Sequence, residues 1–355
     1  MAENLRKNRI LVTVLVPCYN MGNKIHRLFD SLLAQTLKSF KVIVIDDGSD
    51  DNSKDVINNY REKFKESGLA LEYMYQVNAG AASAIGNALK YVDTKYFCLP
   101  DADDFYSEDY FERCIDFLES HDTYGIVFTK CLVFYEKNVH SPIGELKRVD
   151  HFNISKKDIL KDFYWDRNVY FCPNYIIRTS SFVYSNGGGL DIIGGKHGQN
   201  YQMILPLAYR SNFGYIDKSL YNYVIYRNSD SHGQRTMQQR IEHINGGVDI
   251  LLGTFEKMRV PMSEMLEFKE DIIQKSKIQK AYISLAYGDC KSFRNFFNEI
   301  KRNYQPPQLL MFYHLSNVPC FFKIISLCGR FVSRFRVSAF YYKTKSFLYR
   351  YKLKN

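Results

Sequence analysis

Four short apolar runs, each closed by turn residues and separated from the next by a helical pattern, dominate the first hundred residues. They are "ILVTVLV" (10–16), "FKVIVI" (40–45), "LALEYMYQV" (69–77) and "KYFCL" (95–99). Between the first two, Ile25, Leu28, Phe29, Leu32 and Leu33 share one face of a helix over 23–35. A second helix is expected from Asp51, capped by its Asp-Asn-Ser cluster, to Glu66, and a third over 80–92. Near-continuous apolar runs mark strands covered on both faces. Strand–helix alternation joins them by right-handed crossovers into a mostly parallel α/β sheet with helices on both faces. In such sheets ligands bind in the crevice beyond the carboxyl ends of the strands.

Three polar clusters fall at that edge. Pro17-Cys18-Tyr19-Asn20 closes the first run, Asp46-Asp47-Gly48-Ser49 the second, and Asp101-Ala102-Asp103-Asp104 the fourth. Crowded carboxylates repel one another, and a cation is the usual reason to keep them together. Mg²⁺ or Mn²⁺ takes one or two carboxylates and shares the rest of its shell with phosphates. Asp103 suits such an ion, and Asp101 suits a ribose or a metal-bound water. The plainer reading is an acidic turn that caps a helix starting near Ser107, with Asp104 serving only that purpose. Asp46 and Asp47 read either as a turn and helix cap or as carboxylates accepting hydrogen bonds from a nucleoside, with Pro17 and Tyr19 as its wall.

Past residue 107 the pattern is thinner. "YGIVFTKCLVFY" (124–135) is a strand, and "FCPNYIIR" (171–178) leads a strand into a helix. Residues 187–198 hold six glycines in twelve positions and read as a mobile loop. Residues 200–210 are helical despite Pro206, and long helical patterns follow at 235–258 and 263–288.

Charge divides the chain further. Of 48 Lys and Arg, nine lie in residues 315–355, which hold no acid, so 39 cations face 38 acids in the remainder. The tail interleaves these cations with aromatic and aliphatic residues, among them Phe321, Phe335, Tyr341 and Tyr351. This composition suits an anionic membrane surface. Nucleic-acid binding is the less favoured rival, and a docked helical appendage the plain reading. Eight scattered cysteines without a C-x-x-C spacing read as reduced thiols of a cytoplasmic protein. The N-terminal apolar run spans seven residues and ends at Pro17, which favours a buried strand over a signal peptide. No run reaches the length of a transmembrane helix.

The stretches "VTVLVPCYN", "SLLAQTLKSFKVIVIDDGSDDNS" and "NAGAASAIGNALKYVDTKYFCLPDADD" together resemble the N-terminal half of a family 2 glycosyltransferase of the bacterial cell-surface glycan type. The resemblance covers residues 10–120 in order and spacing. It implies a GT-A fold, Rossmann-like, with a C-terminal helical region. It also implies sugar transfer from a nucleoside-diphosphate donor of the UDP type to the hydroxyl of a glycan or lipid-linked acceptor, with inversion and with Mn²⁺ or Mg²⁺. Pro17, Tyr19, Asn20, Asp46, Asp47, Asn78 and Asp101 would hold the nucleoside side of the donor, and Asp103 the metal. His232 would complete the metal's shell or bond a phosphate, and Arg235 would pair with phosphate oxygens.

Two positions depart from the family. Gly86-Asn87 stands where an Arg-Asn pair is common, and Gln199-Asn200 where acids serve as general base. An amide orients an acceptor but takes no proton at neutral pH. Asp191, in the glycine loop, is the substitute base proposed from sequence. The expected organisation is a transferase domain over 1–245, with a donor half to 120 and an acceptor half from 121. A helical region over 246–314 and a membrane-proximal tail over 315–355 complete it, placing the protein at the cytoplasmic face of the membrane. The competing readings are a donor-binding scaffold without a base and a nucleotidyltransferase. The latter would carry a glycine-rich phosphate loop after the first strand, which "PCYNMGNK" is not.

Overall fold

The computed structural model describes residues 10–146, 156–165, 173–226 and 235–316. The chain divides into two compact units. The first comprises residues up to 233 with 253–260, and the second residues 234–252 with those from 261 onward.

The first unit opens with β1 (Val12–Cys18), α1 (His26–Leu33), β2 (Phe40–Asp46), α2 (Ser53–Glu66), β3 (Ala70–Tyr75), α3 (Ala81–Leu89) and β4 (Tyr96–Cys98). The alternation read from sequence is thus present element for element. It continues through β5 (Phe105–Tyr106), α4 (Tyr110–Ser120), β6 (Tyr124–Tyr135), β7 (Gly144–Leu146) and α5 (Lys156–Tyr164). Then follow β8 (Tyr175–Arg178), α6 (Thr179–Ser185), α7 (Gln199–Arg210) and β9 (Asn212–Ile225).

All nine strands of the described residues form one sheet ordered β3-β2-β1-β4-β8-β6-β9-β5, with β7 added to β6. The β3-β2-β1-β4 half is parallel, with Cys18 paired to Asp46 and Val14 to Cys98. Beyond β4 the sheet is mixed: β8 runs antiparallel to both β4 and β6, while β6 and β9 are parallel. The fold is α/β as expected, but its parallel character is confined to the half where helices link successive strands. The order reverses between β1 and β4, which places a ligand crevice at their carboxyl ends.

Side chains alternate between the faces of a strand. Val12, Val14, Val16, Val42 and Val44 join Leu28, Phe29 and Leu32 of α1, Ile57 and Phe64 of α2, and Phe111 of α4 in one buried cluster. On β4, Phe97 meets Phe182 of α6 edge-on at 5.8 Å. Helices therefore cover both faces, which explains the unbroken apolar runs. Each fully buried Val, Leu or Phe contributes about 1.5–3 kcal/mol over exposure, so this half is a stiff platform for its strand ends.

The second unit is helical. It takes most of α8 (Met237–Lys257), then α9 (Met262–Ala286), α10 (Cys290–Asn298) and α11 (Pro307–Leu315). Ala281, Leu285, Phe293, Phe297, Ile300 and Leu309 form its core. No described helix is long and apolar enough to cross a membrane.

Candidate active site

The loops after β1 and β2 are knitted together. Asn20 holds φ +54°; its amide donates to Ser49 Oγ at 2.9 Å and its Oδ1 accepts the Asp50 amide at 3.0 Å. The amides of Met21 and Gly22 donate to Ser53 Oγ and Asp51 Oδ2 at 2.9 and 3.0 Å. Asp51 also accepts the Ser53 amide at 2.9 Å at the entrance to α2, whose N-cap residue, Asn52, makes no side-chain cap bond. Pro17 is half-buried beneath this network, and Tyr19 stands 47% exposed beyond it. Burial pushes the Cys18 thiol up to about 12, so it stays protonated and chemically quiet.

Asp46 and Asp47 are both buried and differ in partners. Asp46 accepts the Ser49 amide and the Tyr73 hydroxyl, each at 2.8 Å. Asp47 accepts from Gln76 Nε2 at 2.7 Å and from the amides of Ala79 and Gly80 at 2.8 Å each. Gln76 in turn accepts from Asn87 at 2.8 Å. Asp47 thus fixes the approach to α3. Gly48 has φ +78°, and a Cβ there would lie 2.8 Å from the Asn78 amide nitrogen, so only glycine lets Asn78 pack so close.

The acidic turn is clamped at both ends. It leaves β4, held between β1 and β8, and enters β5, which pairs with β9 through Phe105–Asn222 and Tyr106–Tyr221. Asp104 is fully buried and serves as an anchor, accepting from the Tyr221 hydroxyl at 2.8 Å and the Val224 amide at 2.9 Å. Neither Asp101 nor Asp103 is used in this way. The Asp101 carboxylate takes no hydrogen bond among the described residues, and that of Asp103 only one from its own amide. Burial, then repulsion from Asp103, raises the Asp101 carboxyl to about 7. Burial also raises Asp103, opposed by the nearby charges of Lys24 and Arg27. Two free, mutually repelling oxygen ligands fit a Mg²⁺ or Mn²⁺ ion whose other positions go to phosphate and water. Among the described residues no group of three His, Cys, Asp or Glu forms a cage for a metal.

On the other side, the glycine run expected to be a mobile loop is tied down at several points. Gly195 donates to Ser83 Oγ at 2.9 Å and accepts the Ser83 amide at 3.2 Å. The Gln202 side chain pairs with both main-chain groups of Ile193, at 2.6 and 2.9 Å. Asp191 forms an ion pair with Lys257, which also donates to the Asp191 carbonyl at 2.7 Å. Gln199 and Asn200 open α7, where Asn200 Oδ1 accepts the Tyr175 hydroxyl at 2.7 Å. Gly86 faces Ile192, whose Cγ1 would lie 3.5 Å from an added Cβ; the loop occupies the space beside it.

Arg235 belongs to the second unit, where its carbonyl accepts the Tyr287 hydroxyl. His232 and the tail beyond Ser316 lie outside the described residues. Sequence reasoning overlooked Lys24, Arg27, Gln76 and Tyr226. For the first two the only signal was an i, i+3 pair of cations on the polar side of the helix expected over 23–35.

A sheet whose order reverses beside two open carboxylates defines an α/β fold of the GT-A kind. The fold matches S. aureus TarS 1-349 crystallised with UDP-GlcNAc, at a TM-score of 0.58 over 90% of this chain and 89% of that one, with 14% identity. The model of glycosyl transferase family 2 matches residues 13–182. That match takes in just under half of the chain. It is 32% identical over 117 residues to an uncharacterized glycosyltransferase of Rickettsia prowazekii, covering 33% of this chain and 35% of the relative. It is 26% identical over 246 residues to the hyaluronan synthase of Pasteurella multocida, covering 67% of this chain and 23% of that enzyme. The alignments thus span about a third or less of these relatives' own length.

Proposed function

We propose that this chain transfers a sugar from a nucleoside-diphosphate donor to an acceptor hydroxyl in the synthesis of a surface polysaccharide or related glycan. The observation that carries the reading is the pair of open carboxylates, Asp101 and Asp103, at the reversal point of a family 2 domain. Pro17, Tyr19, Asn20, Asp46, Asp47 and Asn78, at the ends of β1 and β2 or in the loops after β1, β2 and β3, would border the nucleoside, and Asp101 the ribose. Asp103, with His232, would hold Mn²⁺ or Mg²⁺, which when bound supplies positive charge to the leaving diphosphate. Arg235 would pair with phosphate oxygens. A UDP-type donor is favoured by the TarS fold, whose crystal structures hold UDP-GlcNAc and UDP.

On the acceptor side, Gln199 and Asn200 would orient the hydroxyl and Asp191 would take its proton, giving inversion by in-line attack. The Tyr175 hydroxyl donates to Asn200 Oδ1 at 2.7 Å and so fixes that side chain at the start of α7. One observation favours the scaffold reading instead: the Asp191 carboxylate is already paired with Lys257. The nine cations of the tail, with exposed Leu310 and Met311 just before it, support a peripheral place on an anionic membrane.

The test is thermal unfolding with UDP, GDP, dTDP and CDP, each with and without Mn²⁺, for the wild type and Asp103→Ala. A nucleotide at a hundred times its Kd stabilises by about 2.7 kcal/mol. Stabilisation by one nucleotide, needing both metal and Asp103, supports the reading. A wild type indifferent to all four removes it.

A further inference from the structure

We propose that Lys24 and Arg27 are direct ligands of the donor's diphosphate, forming a cationic wall opposite the Asp101–Asp103 carboxylates. The inference rests on the donor reading above. Lys24 lies in the turn after β1, and Arg27 in the first turn of α1. Both are organised around Tyr226, the residue that follows β9. Lys24 Nζ sits 4.1 Å from the centre of its ring, and Arg27 Nη1 donates to its hydroxyl at 2.5 Å. That hydroxyl donates to the main-chain carbonyl of Asp103 at 3.3 Å. The cations, the aromatic ring and the open carboxylate therefore form one connected group.

Neither cation makes an ion pair within 4.0 Å of a described carboxylate. An aromatic face attracts a cation without neutralising it. Both side chains are half-buried, so solvent screens them less than cations on an open surface. Charge balance then identifies the ligand. Two carboxylates with one divalent ion sum to zero, which leaves the two cations to match the roughly two negative charges of a diphosphate. Arg27 supplies a planar fork suited to phosphate oxygens, and Lys24 a mobile point charge. A sugar or a nucleoside, being neutral, would gain little from either.

The test is calorimetric titration of the full chain in Mn²⁺ with UDP and GDP, and with uridine and guanosine as uncharged counterparts. Lys24→Gln and Arg27→Gln are each expected to weaken the accepted diphosphate about tenfold, and the double variant about a hundredfold. Nucleoside affinity should not move, and the dependence of binding on salt should become shallower. Lys24→Arg should restore most of the loss, which distinguishes lost charge from local damage. Tyr226→Phe removes the hydroxyl but keeps the ring. Because that hydroxyl holds Arg27, the variant should weaken UDP no more than Arg27→Gln does; a larger loss would show Tyr226 acting on its own and overturn the direct role of Arg27. Diphosphate binding at wild-type strength in both Gln variants overturns the proposal while leaving the donor reading intact. A wild type that binds neither UDP nor GDP removes the donor reading itself.

Discussion

The Tyr221 hydroxyl donates to Asp104 at 2.8 Å and accepts the Asp101 amide at 3.4 Å, so one side chain of β9 spans both ends of the acidic turn. The ring beneath it packs edge-on against Tyr106 at 5.3 Å. Three neighbouring carboxylates thereby separate into one that holds the turn and two that remain open. Tyr221→Phe leaves a buried carboxylate oxygen without its donor, at a cost of about 1–3 kcal/mol. The variant should melt lower and lose nucleotide affinity as a consequence. Asp103→Ala should melt as the metal-free wild type does and lose only metal-dependent binding. Paired melting and binding curves check this, and equal melting losses in the two variants would contradict it.

The raised Asp101 carboxyl has a signed consequence for stability. Its folded value of about 7 lies above the ordinary carboxylate range. From about pH 4 to 7 the folded chain therefore retains a proton that the unfolded chain releases. This contribution to stability is complete below that window and is lost as pH rises through 7. In chelator, the melting temperature should carry a downward component from pH 5 to 8. Mn²⁺ should reverse it, with a larger upward shift at pH 8 than at pH 5. Asp101→Asn should remove the component, and a slope unchanged in that variant would locate the titration elsewhere.

Strand-end clusters and the elements that carry them were readable because both depend on local pattern. The apolar runs of β1 and β2 need only their own neighbours to be recognised, and the turn residues after them follow at once. The fate of each carboxylate was not readable in this way. Asp104 differs from Asp103 through Tyr221 and Val224, 117 and 120 residues later in the chain. Asp47 is engaged by Gln76, Ala79 and Gly80, which lie across a strand from it. Lys24 and Arg27 had the ordinary appearance of the wet side of an amphipathic helix until Tyr226 brought them to the turn. The mixed half of the sheet was hidden for the same reason: β4 pairs with β8, and Tyr96 opposes Arg178.

Gly80 joins the nucleoside side to the glycine loop, and its substitution should uncouple them. Its φ is +92°, and a Cβ would lie 2.3 Å from Lys196 Cα and 2.7 Å from the Gly195 carbonyl. Gly68 has a similar φ of +73° with nothing within 4 Å. Gly68→Ala should therefore cost only the strain of the left-handed region, about 1–2 kcal/mol. Gly80→Ala adds a clash with main chain, which cannot rotate away as a side chain would. It should melt below Gly68→Ala and become open to proteolysis within residues 187–198. Equal melting temperatures and equal cleavage would show that the loop moves aside freely.

A membrane role for the tail makes a charge-specific prediction. Each cation near an anionic surface is worth about 1 kcal/mol, and residues 315–355 carry nine of them. The full chain should float with phosphatidylglycerol vesicles, stay behind with phosphatidylcholine vesicles, and be released as salt shortens the screening length. Replacing Lys343, Lys345, Arg350, Lys352 and Lys354 with Gln should abolish flotation and leave the melting temperature unchanged. Binding that resists both salt and neutralisation would point to apolar insertion instead. Equal binding of RNA and vesicles would favour the nucleic-acid rival.

Asp191 and Lys257 separate catalysis from architecture. Lys257 bonds both the carboxylate and the carbonyl of Asp191, and Asn186 adds a bond to that carbonyl at 2.8 Å. The residue thus tethers the loop whether or not it takes a proton. If it is the base, Asp191→Asn should lower turnover by about a hundredfold to ten-thousandfold with donor affinity unchanged. Lys257→Met breaks the same ion pair but leaves the carboxylate, so it should lower the melting temperature and spare most of the turnover. A tether alone would make turnover fall in step with melting temperature in both variants, and leave the double variant no worse than Lys257→Met, which already removes both bonds. Turnover and melting temperature measured around this cycle therefore decide between a proton acceptor held in place by a lysine and a loop anchor. In the second case the family's chemistry at Gln199-Asn200 must draw its base from elsewhere or be absent.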